Sequence, residues 1–273
     1  MPDVTLNGAR LHVRVDGHGE EAVVFLHGLL FSSRMFDEQV NALKGRYRCI
    51  RLDFRGQGRS EVTPDGYDMD SLAADVVALI EALDCAPCHL VGFSMGGFVG
   101  LRVALARPEL LRSLVLMNTA AEAERPAKRL RYRLLNFVAR RFGLERVIGA
   151  VMPLMFSDAF VSDPAQKERL QRWVDMVLAN DRVGVTRAVR GVTTRESVLD
   201  RLDAIDRPTL IIAADQDRAT PPARARRLNH AIHGSRMLSL PGVGHMSPAE
   251  APEAVNRALA AFFESLADSS TPG

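Results

Sequence analysis

The chain has 273 residues, 47% of them hydrophobic and 25% charged, with a formal net charge of +2 and three cysteines. This composition excludes a disordered or fibrous chain, gives no electrostatic basis for nucleic-acid binding, and supplies too few cysteines for a disulfide framework. No apolar run approaches the roughly 20 residues that span a bilayer, and the first residues lack the layout of a signal peptide, so a cytoplasmic protein is expected.

Along the chain, Asn7-Gly8 lies between two alternating segments in "VTLNGARLHVRV", which predicts a hairpin. "AVVFLHG" reads as a buried strand, "SRMFDEQVNAL" as a helix starting near Ser33, and "YRCIRLDF" as a strand running into the glycine-rich "RGQGRS". In "DMDSLAADVVALIEAL" the residues Leu72, Val76, Leu79, Ile80 and Leu83 follow the helical period. Cys85 and Cys88 form a C-x-x-C that reads as a helix-to-strand loop with two thiols rather than a redox pair. Next come a strand ending at Ser94, a helix, and the strand "RSLVLMN". From 120 to 200 the alternation gives way to an arginine-rich, mostly helical stretch.

Strand and helix then resume through "PTLIIAAD", "PARARRLNHAIHG", "SRMLSLPG" and "SPAEAPEAVNRALAAFFESL". In the last of these, Ser247 and Glu250 have capping-box spacing around Pro248. The pattern predicts one α/β core, 1–119 and 201–266, with a mostly parallel sheet covered on both faces. A helical insertion over 120–200 and a disordered tail over 267–273 complete the expected organisation. A homo-oligomer is compatible with it.

"GFSMGG" sets Ser94 between Gly92 and Gly96 at a strand-to-helix corner, the G-x-S-x-G pattern of a nucleophile elbow. Side chains at the glycine positions would collide in so tight a turn. A serine hydroxyl needs a base, and the base an orienting carboxylate. Three downstream histidines compete for the first role. His230 and His233 fall near a helix end, whereas His245 in "PGVGHMSP" follows a strand, at the sheet edge that carries Ser94. "LIIAADQDRATPP" offers Asp215 and Asp217 as the acid. Asp217, further into the loop, has room to turn back toward His245, and Asp215 reads as a loop brace.

With "HGLL" at His27 to Leu30, "DFRGQGRS" at Asp53 to Ser60, "GFSMGG" and "GVGH", the chain resembles the α/β-hydrolase superfamily. It is most similar to the cofactor-free group of arylesterases, non-haem haloperoxidases, enol-lactone hydrolases and C–C bond hydrolases. The resemblance implies a catalytic triad of Ser94, Asp217 and His245 in the family order. It implies an oxyanion hole from the N–H groups of Leu29 and Met95, and no metal or organic cofactor. His27, Asp53 and Arg55 take supporting places, and Asn118 stands where some relatives carry their acid. The implied reaction is hydrolysis of a small carboxylic ester or lactone. C–C bond hydrolysis, perhydrolysis and a non-catalytic ligand receptor on the same fold are the alternatives.

The substrate pocket is expected beneath the insertion, with Phe137, Met152, Met155, Phe156 and Trp173 as candidate walls. In "RPAKRLRYRLLNFVARRFGLER", Leu130, Leu134, Phe137, Val138 and Phe142 fall along one helical face, which predicts that this face packs inward and most arginines point outward. Those arginines read as a solvated surface or as a fringe that draws in an anionic substrate. The apolar stripe reads as short for adhesion to an anionic membrane.

Overall fold

The computed structural model describes residues 3–268. The predicted hairpin forms: β1 (Val4–Leu6) pairs antiparallel with β2 (Ala9–Leu11). Its two turn residues, Asn7 at φ 45° and Gly8 at φ 72°, take the left-handed conformation that such two-residue turns require.

The main sheet has seven strands: β3 (Val13–Asp16), β4 (Ala22–Leu26), β5 (Arg48–Leu52), β6 (Cys88–Phe93), β7 (Leu111–Met117), β8 (Thr209–Ala214) and β9 (Arg236–Leu240). Their spatial order is β3-β5-β4-β6-β7-β8-β9. Only β3 runs antiparallel to its neighbour; the other pairs are parallel. The central strands β4, β6 and β8 are buried along their whole length, as a sheet covered on both faces demands.

Two apolar layers flank the sheet. On one side α2 (Met69–Ala82) and α3 (Met95–Ala106) pack with α9 (Pro222–Ala231); on the other lie α1 (Asp37–Leu43) and α11 (Pro252–Asp268). Asp68 caps α2 by accepting from the Ser71 N–H at 2.8 Å. The stretch predicted as one C-terminal helix is two. A short α10 (Ser247–Glu250) ends at Ala251, and α11 restarts at Pro252. The expected capping box does not form, because both of its side chains bond elsewhere. Ser247 Oγ donates to Asn118 Oδ1, and Glu250 reaches across to Ser157. The tail expected to be disordered begins helically, with Ala267 and Asp268 closing α11; its remaining residues, 269–273, lie outside the described residues.

Between β7 and β8 the chain builds five helices over the carboxyl end of the sheet. They are α4 (Pro126–Phe142), α5 (Ile148–Met155), α6 (Asp158–Ser162), α7 (Lys167–Leu178) and α8 (Arg182–Thr194). Among the described residues no helix is long and apolar enough to cross a membrane. Cys85 and Cys88 are buried free thiols.

His89, buried in β6, makes stability depend on pH. Its ring lies against Phe263 at a centroid distance of 4.3 Å and pairs with Ser113 Oγ at 2.7 Å. Burial pushes its pKa down to about 4, with Glu21 opposing the shift. The folded chain therefore keeps His89 neutral where the unfolded chain protonates it, below about pH 6.5. Stability should fall as pH drops from about 6.5 to 4, by about 3 kcal/mol from this group. His89→Gln should flatten that acid limb in urea titrations at stepped pH; an unchanged slope would assign the acid sensitivity elsewhere.

Candidate active site

Four of the sequence-identified residues stand just beyond the carboxyl ends of parallel strands: Leu29 after β4, Ser94 after β6, Asp217 after β8 and His245 after β9. This is the edge at which open α/β sheets place their ligands. His230 and His233 fall instead at the end of α9 and just past it, leading into the amino end of β9.

The elbow is as tight as its glycines suggest. Ser94 takes φ 51° and ψ −112°, a strained conformation for a residue with a side chain. A Cβ on Gly96 would lie 2.0 Å from the Leu26 carbonyl oxygen, and one on Gly92 2.5 Å from the Gly96 oxygen. Only hydrogen fits at either position.

The side chains of Ser94, His245 and Asp217 meet in a line. His245 Nε2 lies 2.9 Å from Ser94 Oγ, and His245 Nδ1 lies 2.8 Å from Asp217 Oδ2. His245 and Asp217 are 2% and 4% exposed, so water barely competes for these bonds. The Asp217 carboxylate is fully engaged. Oδ1 accepts from the N–H groups of Ala219 and Thr220, and Oδ2 accepts from Asn118 Nδ2 at 2.9 Å. Burial alone would raise its pKa, but His245, Asn118 and Thr220 outweigh burial and hold it below the ordinary carboxylate value. Asn118 thus holds the Asp217 carboxylate. Asp215 braces the neighbouring loop by accepting from the Gly242 N–H at 2.8 Å.

Peptide planarity orients the two backbone donors. In a trans peptide the C=O and the following N–H point opposite ways, so fixing one aims the other. The Ser94 carbonyl accepts from Gly97 N, Phe98 N and Thr119 Oγ1, which turns the Met95 N–H away from the helix body. His27 does the same for the other donor. Its Nδ1 meets the Gly28 carbonyl at 2.8 Å while its Nε2 accepts from Phe54 N at 2.9 Å. Burial lowers the pKa of His27, matching that neutral tautomer. The Gly28–Leu29 peptide sits beside the serine, since a Cβ on Gly28 would come 3.4 Å from Ser94 Cβ. The other expected supports hold adjacent turns: Arg55 grips Asp75 through two hydrogen bonds, and Asp53 accepts from Ser33 N and Arg59 N.

A cavity of about 140 Å³ opens beside Ser94 and His245, bounded by Leu29, Met95 and helices of the insertion. Of the five candidate walls, Met155 lines it. Met152 and Phe156 are buried, and Trp173 partly so, in the insertion's own packing against the core, with Trp173 edge-on to Phe31 at 5.8 Å. Phe137 lies outside the cavity and is 63% exposed. The inward face of α4 is the row Tyr132, Leu135, Asn136 and Ala139, all of which line the cavity. Of the predicted inward face, Leu130, Leu134, Phe137 and Phe142 point out, and only Val138 packs inward, half-buried against the cluster of Ala139, Leu144, Val147 and Val185. Helix α4 carries two apolar rows, and the less polar one is not the one that packs.

Two functional candidates escaped the sequence reading. Glu124 lines the cavity as a buried carboxylate, bonded to Arg224 at 3.0 Å and 3.5 Å from Arg195, whose guanidinium stacks 4.0 Å over Phe98. Burial raises the pKa of Glu124, but the two arginines more than reverse this. Glu250 accepts from Gly244 N and from Ser157 N and Oγ, tying the loop before His245 to the start of α6. Burial shifts its pKa upward against those bonds. Only the Ser-x-x-Glu spacing marked Glu250, and it pointed to a different partner.

The α/β hydrolase fold model matches residues 21–252. The AB hydrolase superfamily protein YisY of Bacillus subtilis is 32% identical over 266 residues, covering 93% of this chain and 96% of that protein. The enol-lactonase from Burkholderia xenovorans LB400 superposes with a TM-score of 0.90 at 28% identity, over 96% of this chain and 100% of that one. An esterase from Thermogutta terrifontis superposes with a TM-score of 0.89 at 27% identity, over 97% of both chains. Sheet order, elbow geometry and these matches agree, and the chain belongs to the α/β-hydrolase fold family.

Proposed function

We propose that the protein is a serine hydrolase that cleaves a small carboxylic ester or lactone through an acyl-enzyme on Ser94. The observation that carries this reading is the unbroken relay from Asp217 through His245 to Ser94 Oγ, at 2.8 and 2.9 Å.

His245 Nε2 takes the Ser94 proton as Oγ bonds to the substrate carbonyl carbon, and the carbonyl oxygen becomes an oxyanion. The N–H groups of Leu29 and Met95 receive that charge; each such donor is typically worth about 3–4 kcal/mol in the transition state. Asp217 stabilises the imidazolium without taking its proton. His245 then gives the proton to the leaving alkoxide, which departs as the C–O bond breaks. Water then attacks the acyl-enzyme as His245 takes its proton; the C–Oγ bond breaks, His245 passes that proton to Ser94 Oγ, and the acid is released. In a lactone the leaving alkoxide stays attached to the acyl group, and the product is a hydroxy acid, or a keto acid if the lactone is an enol lactone.

The cavity supports small substrates. At about 140 Å³ it is close to the ~150 Å³ that accommodates a benzene-sized guest. The esterase and the enol-lactonase among the structural relatives support the ester or lactone class. A panel of aryl esters, aliphatic esters, lactones and vinylogous diketones, with fluorophosphonate labelling, tests the reading. Turnover confined to the diketones would replace it.

Wall residues should separate by location. Met155→Ala enlarges the cavity and should shift kcat/KM toward longer acyl chains by about tenfold, the scale of one or two methylenes in an apolar pocket. Trp173→Leu should lower the melting temperature and leave chain-length preference unchanged. A preference shift in the Trp173 variant at unchanged melting temperature would place that residue at the substrate.

A further inference from the structure

Helix α4 turns an uncovered row to the outside. Leu130, Leu134 and Phe137 are 69%, 64% and 63% exposed, and their spacing lines them up along one face. Arg129, Arg133 and Arg140 flank this row on one side and Arg131 on the other, all exposed. No acidic residue occurs between Pro126 and Phe142. Beside the row, a groove of about 600 Å³ between α4 and α8 is lined by Arg129, Arg133, Arg140, Arg187 and Arg190. Among the described residues none of these five forms an ion pair with a carboxylate.

Arg187 donates to the Thr63 carbonyl and Arg140 to Thr186 Oγ1, which leaves the positive charge of the groove uncompensated. Large apolar side chains in water and uncompensated positive charge in a shared groove each call for a partner, and one surface satisfies both. A second copy placed face to face would set arginine row against arginine row, so charge disfavours self-association here. Arginine stems can lie along apolar material while their heads reach phosphates. The α4 stripe is short for adhesion by itself, but α8 adds Arg187 and Arg190 to the α4 arginines beside it, and we propose that the α4–α8 face docks on an anionic phospholipid surface. Leu130, Leu134 and Phe137 enter the boundary between headgroups and acyl chains, and the groove arginines bind lipid phosphates. The opposite face of α4 lines the catalytic cavity, so docking sets the cavity wall against a reservoir of apolar esters.

Flotation of the full chain with vesicles tests this. The protein should float with vesicles of equal parts phosphatidylcholine and phosphatidylglycerol, and stay down with phosphatidylcholine alone. Arg129→Gln/Arg133→Gln/Arg140→Gln should weaken binding roughly a hundredfold, the scale of three charges at an anionic surface. Leu130→Ser/Leu134→Ser should weaken it at least about tenfold while leaving the melting temperature and hydrolysis of a soluble aryl ester unchanged. Ser94→Ala should bind as wild type does, so a failed catalytic reading would leave this one standing. Equal partition onto both vesicles, or onto neither, would overturn the proposal. A double-serine variant that binds like wild type would reduce the face to a generic polyanion site. A wild-type dimer split by the same variant, without vesicle binding, would make the face a self-interface.

Discussion

Ser94→Ala and His245→Ala are each expected to lower kcat by roughly 10⁴- to 10⁶-fold, and the double variant is expected to be little worse than either. The relay explains why. Without His245 the Ser94 hydroxyl keeps its proton, and without Ser94 the proton moved by His245 activates nothing that is held at the carbonyl. What survives is the help of the Leu29 and Met95 donors and of binding. Steady-state kinetics on one ester, with folding checked by melting temperature, measures all three variants. Losses that multiply in the double variant would show two independent contributions and contradict the shared mechanism.

The next largest effect is expected at Asp217, the acid of the proposed relay. Asp217→Asn should cost about 10⁴ in kcat, because an amide in that position presents an N–H to His245 Nδ1 and favours the wrong tautomer. Asp215→Asn, two residues earlier, should cost less than about tenfold, since its carboxylate holds the Gly242 N–H and no other group among the described residues. Its amide oxygen can still accept that bond. If Asp215→Asn proved the more damaging, the carboxylate that matters would have been misplaced by two residues.

Local chemistry made most of the site legible from sequence. A glycine two residues either side of Ser94, an aspartate three residues past the end of a strand and a histidine between a strand and a helix each have a local reason. The parallel sheet then brings their strand ends to one edge. The insertion was legible only as helices. In α4, period alone identifies apolar rows at Leu130, Leu134 and Phe137 and at Tyr132, Leu135 and Ala139, but it cannot say which row meets a neighbour. Here α8 and the cavity take the second row. The cavity walls come from segments distant in sequence, so Glu124 and Tyr132 carry no local mark of their place. Glu250 has the spacing of a helix cap, yet Ser157, 93 residues away, takes its carboxylate instead.

The central claim is a covalent acyl group on Ser94, and intact-protein mass spectrometry after rapid acid quench of a slowly deacylating aryl ester tests it most directly. The account predicts a mass increase equal to the acyl group, mapped by peptide digestion to the segment containing Ser94 and absent from Ser94→Ala. Steady turnover of the same ester with no acyl group on Ser94, or turnover retained in Ser94→Ala, would contradict it.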